Sequence, residues 1–359
     1  MFDWIPLELY SPIYYYILLG IVLMILVDSH LNRIPRNDKM QRFGFLLIIF
    51  LVLYMGFRPI SGRYFGDTST YASIFNNYFN GADITSDKDF LFHNLMKISS
   101  YVINVHFFFF LCALLYVVPL YLVCKKWFKD LWFFGFLFLI TAFSFWAAGT
   151  NGIRNGIAGS LLLLGISKEK RIIQTLWIIL AVSVHKSMLL PTAGFILAQF
   201  FNQPKKMIFF WALCIPISLL AGGAFETFFG SLGFDDRLSY LTEGNVNDDD
   251  FSSTGFRWDF VLYSATAIYA GWYYIVKKGF HDQVYYWLFN TYIFANAFWI
   301  LVIRANFSNR FAYLSWFMIG LVIIYPLLKE NILNNQYKKV GFVLVLQFAF
   351  TFFMNVMLS

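Results

Sequence analysis

Long apolar runs separated by short polar segments divide this chain into about twelve candidate membrane spans: 11–27, 43–57, 107–123, 131–148, 152–166, 172–186, 187–201, 207–222, 258–276, 284–303, 311–328 and 340–357. A crossing helix needs about 20 apolar residues, so the shorter runs predict tilt or local thinning of the bilayer. Residues 90–105 are apolar but interrupted by His93, Asn94, Lys97 and Asn104. They predict an amphipathic helix lying on the membrane surface. The expected fold class is therefore all-α. It is a polytopic integral membrane protein of about 12 transmembrane helices, a single transmembrane domain over residues 1–359. The amphipathic helix and two larger segments, 58–106 and 223–257, are expected on its outer face.

Composition sharpens this picture. The chain is 59% hydrophobic and only 13% charged, which excludes an ordinary soluble domain. Asp3 and Glu8 precede any Lys or Arg, so a basic leader region is missing and no cleavable signal peptide is expected. Cys112, Cys124 and Cys214 lie in or beside apolar runs and make neither a metal-binding spacing nor a disulfide framework.

The net charge of +7 would suit a nucleic-acid binder, but its distribution argues for topology instead. With the N-terminus outside, the inner loops are 28–42, 124–130, 167–171, 202–206, 277–283 and 329–339. These loops hold 17 of the 27 Lys and Arg residues but only 6 of the 20 acidic ones. Positive residues remain inside. Both termini are expected outside, and no nucleic acid is expected as a partner.

Ten cations then fall on the outer side: Arg58, Arg63, Lys88, Lys97, Arg154, Lys186, Arg237, Arg257, Arg304 and Arg310. Seven are arginine, on the face where the positive-inside bias should deplete them. Arg58, Arg154, Arg257, Arg304 and Arg310 each sit close to a span end. Arginine suits two-point contacts with phosphate or carboxylate, so this pattern predicts a converging anion site. The alternative is that each pairs with a local acid such as Asp67, Asp235 or Asp259. The acidic run Asp248–Asp250 lacks calcium-loop spacing and suggests no chemistry.

The segment Gly149–Ser160 concentrates these features. At about 100° per residue, Asn151, Arg154, Asn155 and Ala158 share one face of a helix. Gly149, Gly152, Gly156 and Gly159 form another, suited to close helix packing in lipid. A charge at the mouth of a span normally faces a cavity or a partner. His185, with Lys186 and Ser187, occupies the outer tip of a tight hairpin between two apolar runs. Histidine is the usual general base near neutral pH, although a lone histidine also serves structurally. Asp67 before Thr68 reads either as a helix cap or as a carboxylate beside a substrate.

In this order and spacing the motifs resemble those of the EpsG/Wzy-type bacterial polysaccharide polymerases. They are Arg58, Gly66-Asp67-Thr68 and Tyr71; Asn151-Gly152-Ile153-Arg154-Asn155-Gly156-Ile157-Ala158; His185-Lys186-Ser187 before Pro191; Gly255-Phe256-Arg257-Trp258-Asp259-Phe260; and Asn309-Arg310-Phe311-Ala312-Tyr313. The resemblance covers about residues 54–320. One departure is Asn155, where many relatives carry the longer Gln.

The resemblance implies a glycosyltransferase that joins oligosaccharide repeat units carried on undecaprenyl diphosphate, at the outer face of the bacterial cytoplasmic membrane. The implied products are O-antigen, capsule or exopolysaccharide. The implied substrate-binding residues are Arg58, Arg154, Asn155, Lys186, Arg257, Arg304 and Arg310. Arg154 and Arg310 would hold the diphosphate, with Arg58 and Arg257 supporting. His185 would act as base or orienting group, with Asp67 and then Asp259 as the other candidate bases. No metal and no cofactor are expected, leaving-group charge falling to the arginines. The expected partners are the lipid-linked oligosaccharide and membrane lipid. Whether a chain-length regulator also takes part is left open. Rival readings are an O-antigen ligase-like transferase, a flippase for lipid-linked oligosaccharide and an acyltransferase using His185.

Overall fold

A computed structural model describes residues 2–31, 38–86, 88–231, 255–305 and 308–358. The acidic run Asp248–Asp250, Asp235, Arg237 and most of the segment 223–257 lie outside the described residues. The described chain is helical, with no strand, and falls into two compact units, Met1–His185 with Leu327–Ser359, and Lys186–Pro326. Six helical stretches are long and apolar enough to cross a membrane: Leu7–Leu31, Asp38–Gly56, Val105–Ile140, Pro204–Phe225, Asn309–Lys329 and Gln336–Met357. Ile153–Ile166 and Arg171–Val184 are shorter apolar helices.

The first unit contains α1 (Leu7–Leu31), α2 (Asp38–Gly56), α3 (Gly62–Phe65), α4 (Thr68–Phe79), α5 (Phe90–Ser100), α6 (Val105–Phe128), α7 (Trp132–Ile140), α8 (Phe143–Thr150), α9 (Ile153–Ile166) and α10 (Arg171–Val184). A further helix, Gln336–Phe352, packs on α1. The α6 helix is central and packs on both α2 and α9. Gly56 sets the approach of α2, because a Cβ there would stand 2.6 Å from the Phe110 Cα.

Two expectations change here. The loop expected at 124–130 is mostly helix, closing in a single turn at Lys129–Leu131, and α7 folds back with Gly135 against Phe128. The single span expected at 131–148 is two helices broken at Thr141–Ala142. Such a break frees carbonyls that hydrocarbon cannot satisfy. Gln347 Nε2 donates to the Phe138 carbonyl at 2.7 Å, and Thr351 Oγ1 to the Thr141 carbonyl at 2.9 Å.

The second unit contains α11 (Leu189–Phe200), α12 (Pro204–Ser231), α13 (Trp258–Trp272), α14 (Gln283–Leu301) and α15 (Asn309–Trp316). Its core is tied by a buried polar knot on α14. Asn296 accepts from Trp211 Nε1 at 2.7 Å and donates to Ser264 Oγ at 3.0 Å and Ser315 Oγ at 2.9 Å. Trp316 Nε1 donates to the same Ser264 hydroxyl at 2.8 Å. In an apolar medium such bonds specify how helices register.

Candidate functional site

The corner between α8 and α9 organises the site. Its tightness follows from Gly156, where a Cβ would stand 2.4 Å from the Ala148 carbonyl oxygen. Asn151 caps α8 and accepts the Asp67 N–H on Oδ1 at 2.9 Å. Gly66 beside it has φ +51°, and a Cβ there would lie 2.3 Å from that Oδ1. Glycine is required twice over, by its backbone and by the side chain pressed on it. Asp67 begins α4 but its side chain makes no capping hydrogen bond, and its charge acts on Arg154.

Arg154, in the first turn of α9, reaches a cluster assembled from four helices. Its Nη1 donates to Asp89 Oδ2 at 2.6 Å and its Nε to the Tyr71 hydroxyl at 3.3 Å. The guanidinium also stands 5.7 Å from the Tyr71 ring centre. Nη2 makes no hydrogen bond among the described residues, and the side chain keeps 25% of its surface exposed. His185, which ends α10, donates from Nδ1 to the same Asp89 Oδ2 at 3.0 Å and is buried. The two motif residues that sequence singled out for chemistry therefore meet on one carboxylate oxygen. The cluster presents a planar cation with an uncommitted edge beside an oriented imidazole.

A second histidine borders the cluster. His93 on α5 is buried, its Nδ1 2.9 Å from the Tyr78 hydroxyl. Burial lowers its pKa below the usual histidine range, and the Arg154 cation lowers it further, against the opposing pull of Asp89.

Arg58 sits differently. It is 1% exposed, and donates to the Met55 carbonyl at 2.6 Å, Thr68 Oγ1 at 3.0 Å and the Thr150 carbonyl at 2.8 Å. Its guanidinium lies 4.9 Å from the Phe109 ring centre. It ties the end of α2 to the start of α4 and the end of α8. Asn155 is half-buried on α9 next to Arg154.

The other candidates belong to the second unit. Arg257 grips Asp259 with two hydrogen bonds, at 2.9 and 2.6 Å, and lies 3.9 Å from the Phe260 ring centre. For this residue the local-acid pairing foreseen as an alternative is present. Arg304 is exposed beyond the end of α14. Arg310 is half-buried in the first turn of α15, and Lys186 is half-buried in the short turn that opens the unit.

Sequence reasoning missed Asp89 and left Tyr71 and His93 without roles. Asp89 immediately precedes an amphipathic helix, where an acid ordinarily means a cap. The signal that separates the two readings is spatial: its partners lie 65 and 96 residues downstream. Among the described residues no three His, Cys, Asp or Glu side chains gather to hold a metal ion. Residues 41–359 match the family model described as the EpsG family. No curated protein and no solved structure matches the chain.

Proposed function

The chain belongs to the EpsG family, and on that premise we propose that it is a polysaccharide polymerase acting on undecaprenyl-diphosphate-linked oligosaccharide repeat units. The observation that carries this reading is the Arg154 fork, partly exposed and with Nη2 uncommitted, beside an imidazole already aligned through a shared carboxylate oxygen. A donor diphosphate offers adjacent anionic oxygens, which suit the planar guanidinium better than they suit an ammonium. Negative charge grows on the leaving diphosphate as its bond to the sugar breaks, and a fixed cation there acts mainly in the transition state.

In the proposed step a hydroxyl oxygen of the acceptor unit attacks the anomeric carbon of the donor chain. The carbon–oxygen bond to the diphosphate breaks, and its electron pair leaves with the lipid diphosphate. The hydroxyl proton passes to His185, with Asp67 as the alternative acceptor. Arg310 is the second proposed diphosphate contact, with Arg257, Arg304, Lys186 and Asn155 supporting. Arg58 braces the site from within, since its hydrogen bonds are spent on two carbonyls and a hydroxyl. The chemistry proposed needs no metal.

The site is proposed to face outward from the bacterial cytoplasmic membrane, in a chain of about twelve crossing segments with both termini outside. Support comes from the 17 basic residues assigned to the inner loops against 10 outside. Single-cysteine labelling of intact cells is expected to reach residues 58–86 and not 329–339; labelling of the latter contradicts the orientation. For the activity itself, purified protein in liposomes is given the lipid-linked repeat unit. A ladder of longer chains that survives chelator is expected, and no ladder, or one that needs added divalent metal, contradicts the reading.

A further inference from the structure

Asp89 is built into the cluster in a way that capping does not explain. Its backbone adopts φ 54°, ψ 38°, the left-handed region that few side chains other than Asn and Asp enter without strain. It stands at the N-terminus of α5, yet its carboxylate makes no capping hydrogen bond there. Instead the side chain, 5% exposed, presents Oδ2 to Arg154 Nη1 and His185 Nδ1 together. The Asp89 carbonyl meanwhile accepts the Phe92 and His93 N–H groups at 3.0 and 3.1 Å, so the first turn of α5 fixes where the carboxylate points.

We infer, resting on the polymerase reading above, that Asp89 is the positioning residue of this reaction. It holds the Arg154 fork as a stand-in anion, yields that fork to the substrate diphosphate, and keeps the His185 ring aligned throughout. The electrostatics favour this order. A diphosphate carries more charge than one carboxylate and can engage two edges of the guanidinium at once. When Arg154 turns to the diphosphate, the contact between Asp89 Oδ2 and His185 Nδ1 can stay in place. With Nδ1–H held by Asp89, the ring's lone pair lies on Nε2. Nε2 takes the acceptor hydroxyl proton as the new glycosidic bond forms and the diphosphate departs. The imidazolium so formed is stabilised by the Asp89 charge. The proton then passes to water, returning the ring to its starting form. The charged and titratable groups around this pair are Arg154 from α9, Asp67 and Tyr71 from the α3–α4 corner, Tyr78 from α4, His93 from α5 and Lys186 next in the chain.

The deciding experiment uses full-length Asp89→Asn protein in nanodiscs. It measures kcat and KM for the lipid-linked donor, binding of undecaprenyl diphosphate, and the His185 tautomer from ¹⁵N-histidine spectra, assigned with His185→Gln. The wild-type ring is expected to carry its proton on Nδ1, and the Asn variant to lose that preference. The Asn variant should lose kcat by about 10²-fold or more, bind undecaprenyl diphosphate at least as tightly as wild type, and show no rise in KM. Asp89→Glu should recover part of the rate. Unchanged kcat in the Asn variant overturns the inference. So does a loss of rate accompanied by equally weakened undecaprenyl diphosphate binding, which marks a merely structural carboxylate. If wild type binds no undecaprenyl diphosphate and makes no polymer, the polymerase reading fails. The ¹⁵N tautomer comparison still decides whether Asp89 orients His185.

Discussion

Arg58 and Arg154 pose the same problem in the same unit and solve it differently. Both sit at helix ends near the α8–α9 corner, and both are permanent cations held beside apolar surroundings. Arg58 is sealed in at 1% exposure, with its hydrogen bonds given to neutral oxygens and its face to an aromatic ring. Arg154 keeps a quarter of its side chain exposed, an uncommitted Nη2 and a carboxylate partner shared with a histidine. A cation that donates to two carbonyls and a hydroxyl fixes three chain segments in place and, at 1% exposure, is closed to a ligand. A cation balanced by one carboxylate can exchange that anion for another. Charge alone does not mark a site; the exchangeability of its partners does.

The largest expected effect concerns the histidine that shares Asp89 with Arg154. At matched protein level, His185→Gln should lower polymer formation by about 10²- to 10⁴-fold. A glutamine variant with the wild-type rate would make His185 structural and Asp67 the leading base.

Next comes Arg58→Met, the converse case. Removing the brace should cost about 2–4 kcal/mol, since it leaves buried partners unsatisfied and a cavity behind. Thermal unfolding in detergent would show it as a lower Tm, with activity per folded molecule close to wild type. A normal Tm with lost turnover would place Arg58 in contact with substrate instead.

Gly66→Ala should cost less, about 1–3 kcal/mol, from the positive φ and the clash with the Asn151 amide. Because Asn151 also holds the Asp67 N–H, polymer yield per folded molecule separates a stability effect from displacement of Asp67. If both Tm and yield stay unchanged, the Gly66–Asn151 contact does not hold this corner.

The smallest effect is acid sensitivity at His93. Its folded pKa lies below the ordinary value, through burial first and Arg154 second. The unfolded chain therefore takes up the proton first as pH falls. His93 contributes stability that is present above the unfolded pKa and is lost as pH falls through the lower folded one. The Tm of wild type should drop on acidification more steeply than that of His93→Gln. Parallel curves would remove His93 from the balance around Arg154.

Much of the helical fold was legible because apolar runs of span length have few other solutions. The break between α7 and α8 was not: Thr141 barely interrupts an apolar run, and the groups that satisfy the freed carbonyls, Gln347 and Thr351, come about two hundred residues later. Arg154 and His185 stand out in the sequence by residue type and motif, and the fold brings them together on Asp89. Asp89 was hidden because an acid before an amphipathic helix reads as a cap, and only long-range partners show otherwise. Arg58 and Arg154 looked alike because exposure, which separates them, has no local signature. The two bonds from Arg257 to Asp259 became visible only in three dimensions.

The central claim is that Arg154 recognises the diphosphate through its planar fork and not through charge alone. The direct measurement is polymer formed by purified Arg154→Lys from undecaprenyl-diphosphate-linked repeat units, at the same amount of folded protein as wild type and Arg154→Ala. Lysine keeps the charge but loses the two-point geometry. The rate is predicted to fall by about 10²-fold or more, nearly as far as in the alanine variant. A lysine variant that polymerises at the wild-type rate would reduce Arg154 to a general source of positive charge and contradict the account.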